Sequence, residues 1–374
     1  MRMQGGAAGA AIRAPYAARI AASVKAYEPS DREPLKAFQR EHFGVGSRQC
    51  DERYFEWLYE RNPHRRDGAP MLWICMRDGM VVGQQGRLPV VLHARGTELH
   101  ASWGIDLMVH PDWRLKGVGP ALFAEFERSS DILLGLGVSD AAHRTCVRSG
   151  WTDLGMLPIY ARPLDLDACA AALGGRGRLA RLMPGAIVAG SARARAAIGR
   201  FRGYSIEPIA AFDRRADDLW IRAAPDNRVL AKRDFVSLRW RFDQIPDRGR
   251  YERYYVLRRG EVVGYAVMRP DLWRGCGVTR VVDYLCEERS TDALLALVID
   301  AARRQTAAAV FLEQFGLAHP RNLVALGCFP AGAATRFMVR PHRMHVHARL
   351  LTEPSSWLIS RSDSDSDLAS AAPS

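Results

Sequence analysis

The stretch HPDWRLKGVGPAL, residues 110–122, brings Arg114, Lys116, Gly117 and Gly119 together between a strand-like run, WGIDLMV, and a run with helical periodicity. A glycine-rich turn lets successive backbone N–H groups converge, and a helix that follows aims the positive end of its dipole at the same point. The chemistry this suits is the seating of a phosphate or pyrophosphate. Main-chain donors would come from Leu115, Lys116, Gly117, Val118 and Gly119, and unit charges from Arg114 and Lys116. A helix is expected over 119–128, with Pro120 in its first turn, where a missing N–H costs nothing.

The elements that must hold this turn are written twice. YFEWLYERNP contains Trp57, Tyr59 and Pro63, and SLRWRFDQIP contains Trp240, Phe242 and Pro246, a shared W-x-aromatic-x-x-x-P pattern displaced by 183 residues. Each is followed by a hairpin signal, WICMRDGMVVGQQGR around Asp78-Gly79 and YYVLRRGEVVGYAVMR around Arg259-Gly260. Asp106 in WGIDLMV and Asp283 in TRVVDYLC come next, and RSGW and ALGCF close the later helices. The chain is therefore an internal duplication. Each copy reads as strand, one or two helices, hairpin, strand, long helix, strand, helix and terminal strand, which implies a mixed sheet with helices on both faces. Asp51 and Asp234 are placed to cap the helices that Pro63 and Pro246 stop.

The copies part company at the turn. The second has CEERSTDALLALVIDAARR, without a glycine turn and with Glu287 and Glu288 where an anion would approach, so only the first offers the seat. Composition shifts set the expected boundaries: a disordered tail over 1–23, a first unit over 24–163, a basic Ala/Gly/Arg-rich connector over 164–203, a second unit over 204–350, and a disordered Ser/Asp-rich tail over 351–374.

With 48% hydrophobic and 25% charged residues the chain reads as soluble and globular, long enough for two cores. A formal charge of +12 suits an acidic partner, whether nucleic acid, anionic membrane or phosphorylated small molecule. Lysine occurs only at Lys25, Lys36, Lys116 and Lys232, so the charge is scattered arginine and reads first as a solvated basic surface. The seven cysteines form no C-x-x-C pair, which points to reduced thiols in a cytoplasmic setting with neither disulfides nor a metal site. No uninterrupted apolar run reaches the roughly 18 residues of a membrane span, although the basic connector could rest on an anionic surface.

Arg114-Leu115-Lys116-Gly117-Val118-Gly119, preceded by Val109-His110-Pro111 and followed later by CVRSGW, resembles the R/Q-x-x-G-x-G/A signature of the GCN5-related N-acetyltransferase superfamily. The likeness rests on motif over 24–163 and on element order alone over 204–345, so the chain is similar to tandem members with a degenerate C-terminal half. The resemblance implies an α/β fold of two tandem domains, each a mixed, mostly antiparallel twisted sheet flanked by helices. It implies acetyl-CoA as co-substrate, held by the loop, with a backbone N–H near Met108 or Val109 polarising the thioester carbonyl. It further implies direct attack by an amine of a small molecule, an amino sugar among the candidates, in a ternary complex.

Acid and base are less marked. Asp106 lies where many family members carry a carboxylate, yet Asp283 holds the matching place in the copy without the loop, so a shared structural role stands beside a catalytic one. Many members have a tyrosine five residues before the G-F aromatic; here that slot is Cys146, a departure that leaves Tyr160 as a substitute acid. His110 and His143 flank the expected cleft as lesser proton carriers. Trp57 and Tyr59 fall in the helical region that walls the acceptor pocket in the superfamily, while their recurrence at Trp240 and Phe242 reads first as core packing. Two rival functions remain, an aminoacyl-tRNA-dependent transferase and a non-catalytic acyl-CoA-binding protein. The intact loop counts against the former, and a nucleic-acid partner is not expected.

Overall fold

The computed structural model describes residues 18–175, 191–224, 228–315, 320–342 and 345–368. In the first half, β1 (Val24–Ala26) pairs with β2 (Leu72–Arg77), which turns into β3 (Met80–Ala94) and then β4 (Thr97–Val109), all antiparallel. Between β1 and β2 lie α1 (Arg32–Phe43) and α2 (Glu52–Phe55); α2 runs on into a π-helical turn over Glu56–Glu60. After β4 come α3 (Val118–Arg128), β5 (Ile132–Leu136), α4 (Asp140–Arg148) and β6 (Thr152–Pro163). Helices α5 (Leu166–Ala172) and α6 (Ser191–Phe201) lie in the expected connector, whose residues 176–190 are outside the described residues.

The second half repeats the order. It comprises β7 (Tyr204–Ile209), α7 (Arg215–Ala223), β8 (Val229–Ala231), α8 (Phe235–Leu238) with its own π-helical turn over Arg239–Asp243, and β9 (Glu252–Arg258). Then follow β10 (Glu261–Trp273), β11 (Cys276–Cys286), α9 (Thr291–Arg304), β12 (Ala309–Phe315), β13 (Phe329–Pro341) and the short β14 (Ile359–Ser360). Asp51 and Asp234 cap as expected: Asp51 accepts the Arg53 amide at 2.9 Å and Asp234 the Ser237 amide at 2.9 Å. Asp51→Ala should cost about 1 kcal/mol in a urea unfolding series, the worth of one helix cap.

The mixed sheets expected of the two halves join through their central strands. The strands make one sheet in the order β1-β2-β3-β4-β5-β13-β6-β12-β11-β10-β9-β7. The last strand of each half has been exchanged: β13 pairs antiparallel with β5, β6 pairs antiparallel with β12, and β13 and β6 pair with each other at the centre. A strand left without its neighbour would expose a ladder of N–H and C=O groups. Here each half covers the other's open edge, so the duplication is a single folding unit.

The repeated Trp motif sits on the resulting pseudo-two-fold axis. Trp57 and Trp240 stack with ring centroids 4.6 Å apart, and each indole N–H donates to the other residue's carbonyl, at 2.9 and 3.1 Å. Around them the largest core gathers Phe55, Trp103, Phe212, Tyr265 and Phe337 from both halves. A second core lies under α3 and α4, and a third under α9.

Both expected tails are corrected where the structure describes them. Ile20 is fully buried in the core under α3, and residues 1–17 lie outside the described residues. At the other end the chain returns from β13 across the middle of the molecule. Trp357 and Ile359 are fully buried and Leu368 nearly so, with only 369–374 outside the described residues. A Ser/Asp-rich segment cannot order itself on apolar burial alone. This one does so because its apolar ends are anchored and its acids meet buried arginines: Arg233 for Asp363, Arg48 for Asp365, and Arg241 and Arg269 for Asp367.

Candidate functional site

The glycine-containing sequence Arg114–Gly119 forms a tight turn ahead of a helix, as its spacing predicts. Pro111–Trp113 makes a 3-10 turn whose start is fixed by the Asp112 amide donating to His110 Nδ1. Leu115 and Gly117 then take left-handed φ values of 60° and 88°, and α3 begins at Val118 with no side-chain cap. Among the described residues no acceptor pairs with the amides of Gly117, Val118 and Gly119. These are the orphan donors of a helix N-terminus, left free for an anion. Arg114 Nε is tied to the Val109 carbonyl at 3.3 Å, and Lys116 lies 5.3 Å from the Trp113 ring, with Arg77 at the same ring. The second half has no such vacancy of charge: Glu287, beside the start of α9, is held by Arg222 at 3.1 Å and Arg289 at 2.9 Å.

Below the loop the sheet opens. β4 and β5 run parallel and pair only at Ser102–Leu133 and Trp103–Leu134, after which β4 continues to Val109 while β5 ends at Leu136. The strands therefore splay, and beyond Trp103 the β5-facing edge of β4 has no strand partner. A cavity of about 280 Å³ fills the splay, walled by Phe123 and Phe126 of α3, Cys146 of α4, Ile105 and Leu107 of β4, and Leu136 of β5. Met108 and Val109, at the loop end of β4, pair with Gln84 and Gly83. The register slips between Gln84 and Gly86 to make room for an extra residue, and Asp106, with φ 53°, sits in that bulge.

Asp106 is surrounded by donors. Arg48 Nη2 and Gln49 Nε2 reach one carboxylate oxygen, each at 2.8 Å, and the Tyr59 hydroxyl reaches the other at 2.8 Å. Its side chain is 3% exposed. Such a carboxylate fixes the bulge and has little capacity left for a substrate proton. Tyr59 reaches it only because residue 86 is glycine, since a Cβ there would lie 2.5 Å from the tyrosine oxygen. Burial, and then Asp106, push the Tyr59 phenol well above its usual range, so it acts purely as a donor. Tyr59→Phe should cost about 1.5–3 kcal/mol, the range for a hydrogen bond to a charged group, read as a lower urea midpoint.

The structure brings Asp106 and Cys146 to the cavity in the splay, sets Tyr59 on Asp106 and Met108 and Val109 farther along β4, and leaves two expected site residues elsewhere. Tyr160 lies on β6, opposite Leu312 and Pro330, and packs against the core of the C-terminal half. The strand exchange carries it there, and it is no substitute acid for the gap. Trp57 is 3% exposed with its indole N–H spent on Trp240, so it is core and does not line the cavity in the splay. Cys146 does face the cavity, but burial pushes its thiol up to about 12, away from a useful proton donor. His143 pairs with Asp153 at 3.0 Å. Glu41, His42 and His110 have ligand atoms within 4.8 Å of one another, and His110 Nδ1 accepts the Asp112 amide.

One site residue escaped the sequence reading. Asp365, from the segment expected to be disordered, lines the cavity, and its carboxylate accepts from Arg48 at 2.5 Å beside Asp106. Next to it, Ser366 Oγ donates to the Leu136 carbonyl at 3.1 Å, so the C-terminal segment bridges the splayed strands from β5 to the Asp106 bulge. The S-D-S-D-S-D alternation between Ile359 and Leu368 was the available signal: strand-like periodicity framed by apolar anchors.

No protein-family model matches the chain, and no curated protein matches it. Solved structures do. A GCN5-related N-acetyltransferase from Anabaena variabilis superposes with a TM-score of 0.57 at 13% identity, over 86% of this chain and 72% of that one. A protein from Enterococcus faecalis described as a probable N-acyltransferase gives 0.58 at 11% identity, over 85% and 72%. Saccharomyces cerevisiae N-myristoyltransferase with bound myristoyl-CoA gives 0.53 at 12% identity, over 85% and 82%. This chain has the GCN5-related N-acetyltransferase fold. The match extends over both halves, so the fold is present in its tandem form, a mixed α/β sheet flanked by helices. Among the described residues no helix is long and apolar enough to cross a membrane.

Proposed function

We propose that the chain is an acyl-CoA-dependent N-acyltransferase that moves an acetyl group from acetyl-CoA to the amine of a small molecule, an amino sugar among the candidates. The observation that carries this reading is the alignment of two features: a helix N-terminus with unpaired amides at Gly117, Val118 and Gly119, and the splay between β4 and β5 that begins beneath it. A pyrophosphate held at the loop would send its pantetheine arm down the splay, towards the bulge at Asp106. The residues fit such a ligand: Arg114 and Lys116 carry the charge its phosphates require, and Phe123, Phe126 and Leu136 supply an apolar wall for the arm. Bound there, the thioester would bring an activated carbonyl and a thiol leaving group. Met108 and Val109 would align that carbonyl, and the Arg48–Gln49–Tyr59 set on Asp106 holds the bulge that shapes their strand. The loop occurs in one half only, so one donor molecule binds per chain.

The test is release of free thiol from acetyl-CoA in the presence of a panel of small amines. Turnover with an amine supports the reading. A rise in melting temperature with acetyl-CoA but no thiol release with any amine would favour a non-catalytic acyl-CoA-binding protein. Transfer only from a charged tRNA, with affinity falling steeply as salt rises, would favour the tRNA-dependent rival.

A further inference from the structure

We propose that Asp365, delivered to the splay by the C-terminal segment, is the group that takes the proton from the attacking amine. This rests on the acyltransferase reading and assigns its missing base. Three observations converge on the residue. It lines the cavity between β4 and β5, on the side where Arg48 and Asp106 mark the bulge. Its side chain is 18% exposed, whereas that of Asp106 beside it is 3% exposed and wholly engaged. Among the other described residues only Arg48 donates to it, and to one oxygen, Oδ2.

The local charge count favours a proton at this place. Arg48 is a single guanidinium shared between two carboxylates, Asp106 and Asp365, with the neutral Tyr59 phenol on Asp106 and Arg241 farther off. Burial, with Asp106 adding to it against the pull of Arg48, pushes the Asp365 carboxyl up to about 6. It is thus ionised at neutral pH and still basic enough to hold a proton, the setting a general base needs.

The balance is simple. The neutral amine nitrogen forms a bond to the acyl carbon, the carbon–sulfur bond breaks with its electron pair going to sulfur, and the amine loses one proton to Asp365. That proton then leaves for the thiolate or for solvent, giving an amide and free coenzyme A thiol.

The molecule also contains its own control. Across the pseudo-two-fold axis Arg233 is shared between Asp283 and Asp363, with Tyr265 on Asp283 at 2.6 Å, the same arrangement in the half without a phosphate loop. Asp363 is 5% exposed there, in the half whose sequence lacks the R-x-x-G-x-G loop.

Asp365→Asn keeps the shape and leaves Arg48 paired with Asp106. It should retain the acetyl-CoA-induced rise in melting temperature, lower kcat by about 100-fold or more, and remove the acid limb of the pH–rate profile near pH 6. Asp363→Asn should leave that limb in place. Independently of turnover, carbon-13 NMR of aspartate-labelled protein should show a carboxyl resonance titrating near pH 6 that is missing from Asp365→Asn. Retained kcat with an unchanged acid limb, or a titration showing Asp365 at an ordinary carboxyl value, overturns the assignment. Absence of any acetyl-CoA-induced stabilisation in the unaltered protein would instead overturn the acyltransferase reading on which it rests.

Discussion

Arg233→Ala is expected to destabilise the protein by about 3–5 kcal/mol at pH 7, the cost of leaving a buried charge without its partner. The Arg233 side chain is 2% exposed and donates through Nε and Nη2 to Asp283 and through Nη2 to Asp363, while Nη1 takes the Ala231 carbonyl. Burial opposes its charge, but Asp283 and Asp363 more than restore it and hold its pKa well above the usual value. Removing it strands two acids at the junction of β11 with the C-terminal segment. Burial already pushes the Asp363 carboxyl above the ordinary range, and loss of the guanidinium must push it further. A carboxyl whose folded pKa exceeds its unfolded one binds more protons folded than unfolded. Its penalty therefore grows as pH rises from the ordinary carboxyl value through the raised one. The deficit of Arg233→Ala should accordingly be largest at pH 7 and shrink toward pH 4. Urea unfolding of both proteins at pH 4, 5.5 and 7 reads this directly. A deficit under 1 kcal/mol, or one that is the same at all three values, would show that the cluster is not the joint described here.

Much of this molecule could be read from its chain, and the parts that could not have definite physical reasons. The duplication, the hairpins at Asp78-Gly79 and Arg259-Gly260, the caps Asp51 and Asp234 and the loop at 114–119 are local signals, set by residue type and spacing over a few positions, and the structure places each where the spacing put it. The strand exchange was not legible. Either β6 or β13 satisfies the hydrophobic pattern of either half, so which strand fills which edge depends on long-range pairing alone. That exchange is also what removed Tyr160 from the gap. The C-terminal segment was misread for a related reason. Ser and Asp in alternation carry the composition of a solvated tail, and the arginines that order it lie from 98 to 317 residues away in sequence. The ambiguity over Asp106 and Asp283 resolves in favour of symmetry: each is the shared acceptor of an arginine and a tyrosine in its own half.

Gly117→Glu should abolish binding of acetyl-CoA while the fold persists. Gly117 has φ 88°, where a side chain is strained by roughly 1–2 kcal/mol, and a Cβ built there meets nothing within 4 Å. The substitution therefore loads a modest strain on an exposed turn and no clash on the core beneath α3. Its carboxylate, however, enters the position where the free amides of Gly117, Val118 and Gly119 would meet a phosphate. The second half carries an acid near the matching place, where Glu287 draws Arg222 and Arg289 to itself. Acetyl-CoA at 100 times its dissociation constant should stabilise the unaltered protein by about 2.7 kcal/mol, and that stabilisation should vanish in Gly117→Glu. Gly117→Ala separates charge from strain: it carries the same backbone penalty without the carboxylate and should keep most of the ligand-induced shift. Melting temperatures of the three proteins with and without acetyl-CoA, at low and high salt, decide the matter. An undiminished shift in Gly117→Glu would remove the loop from the binding site, and an equal loss in Gly117→Ala would assign the effect to the shape of the turn in place of its charge.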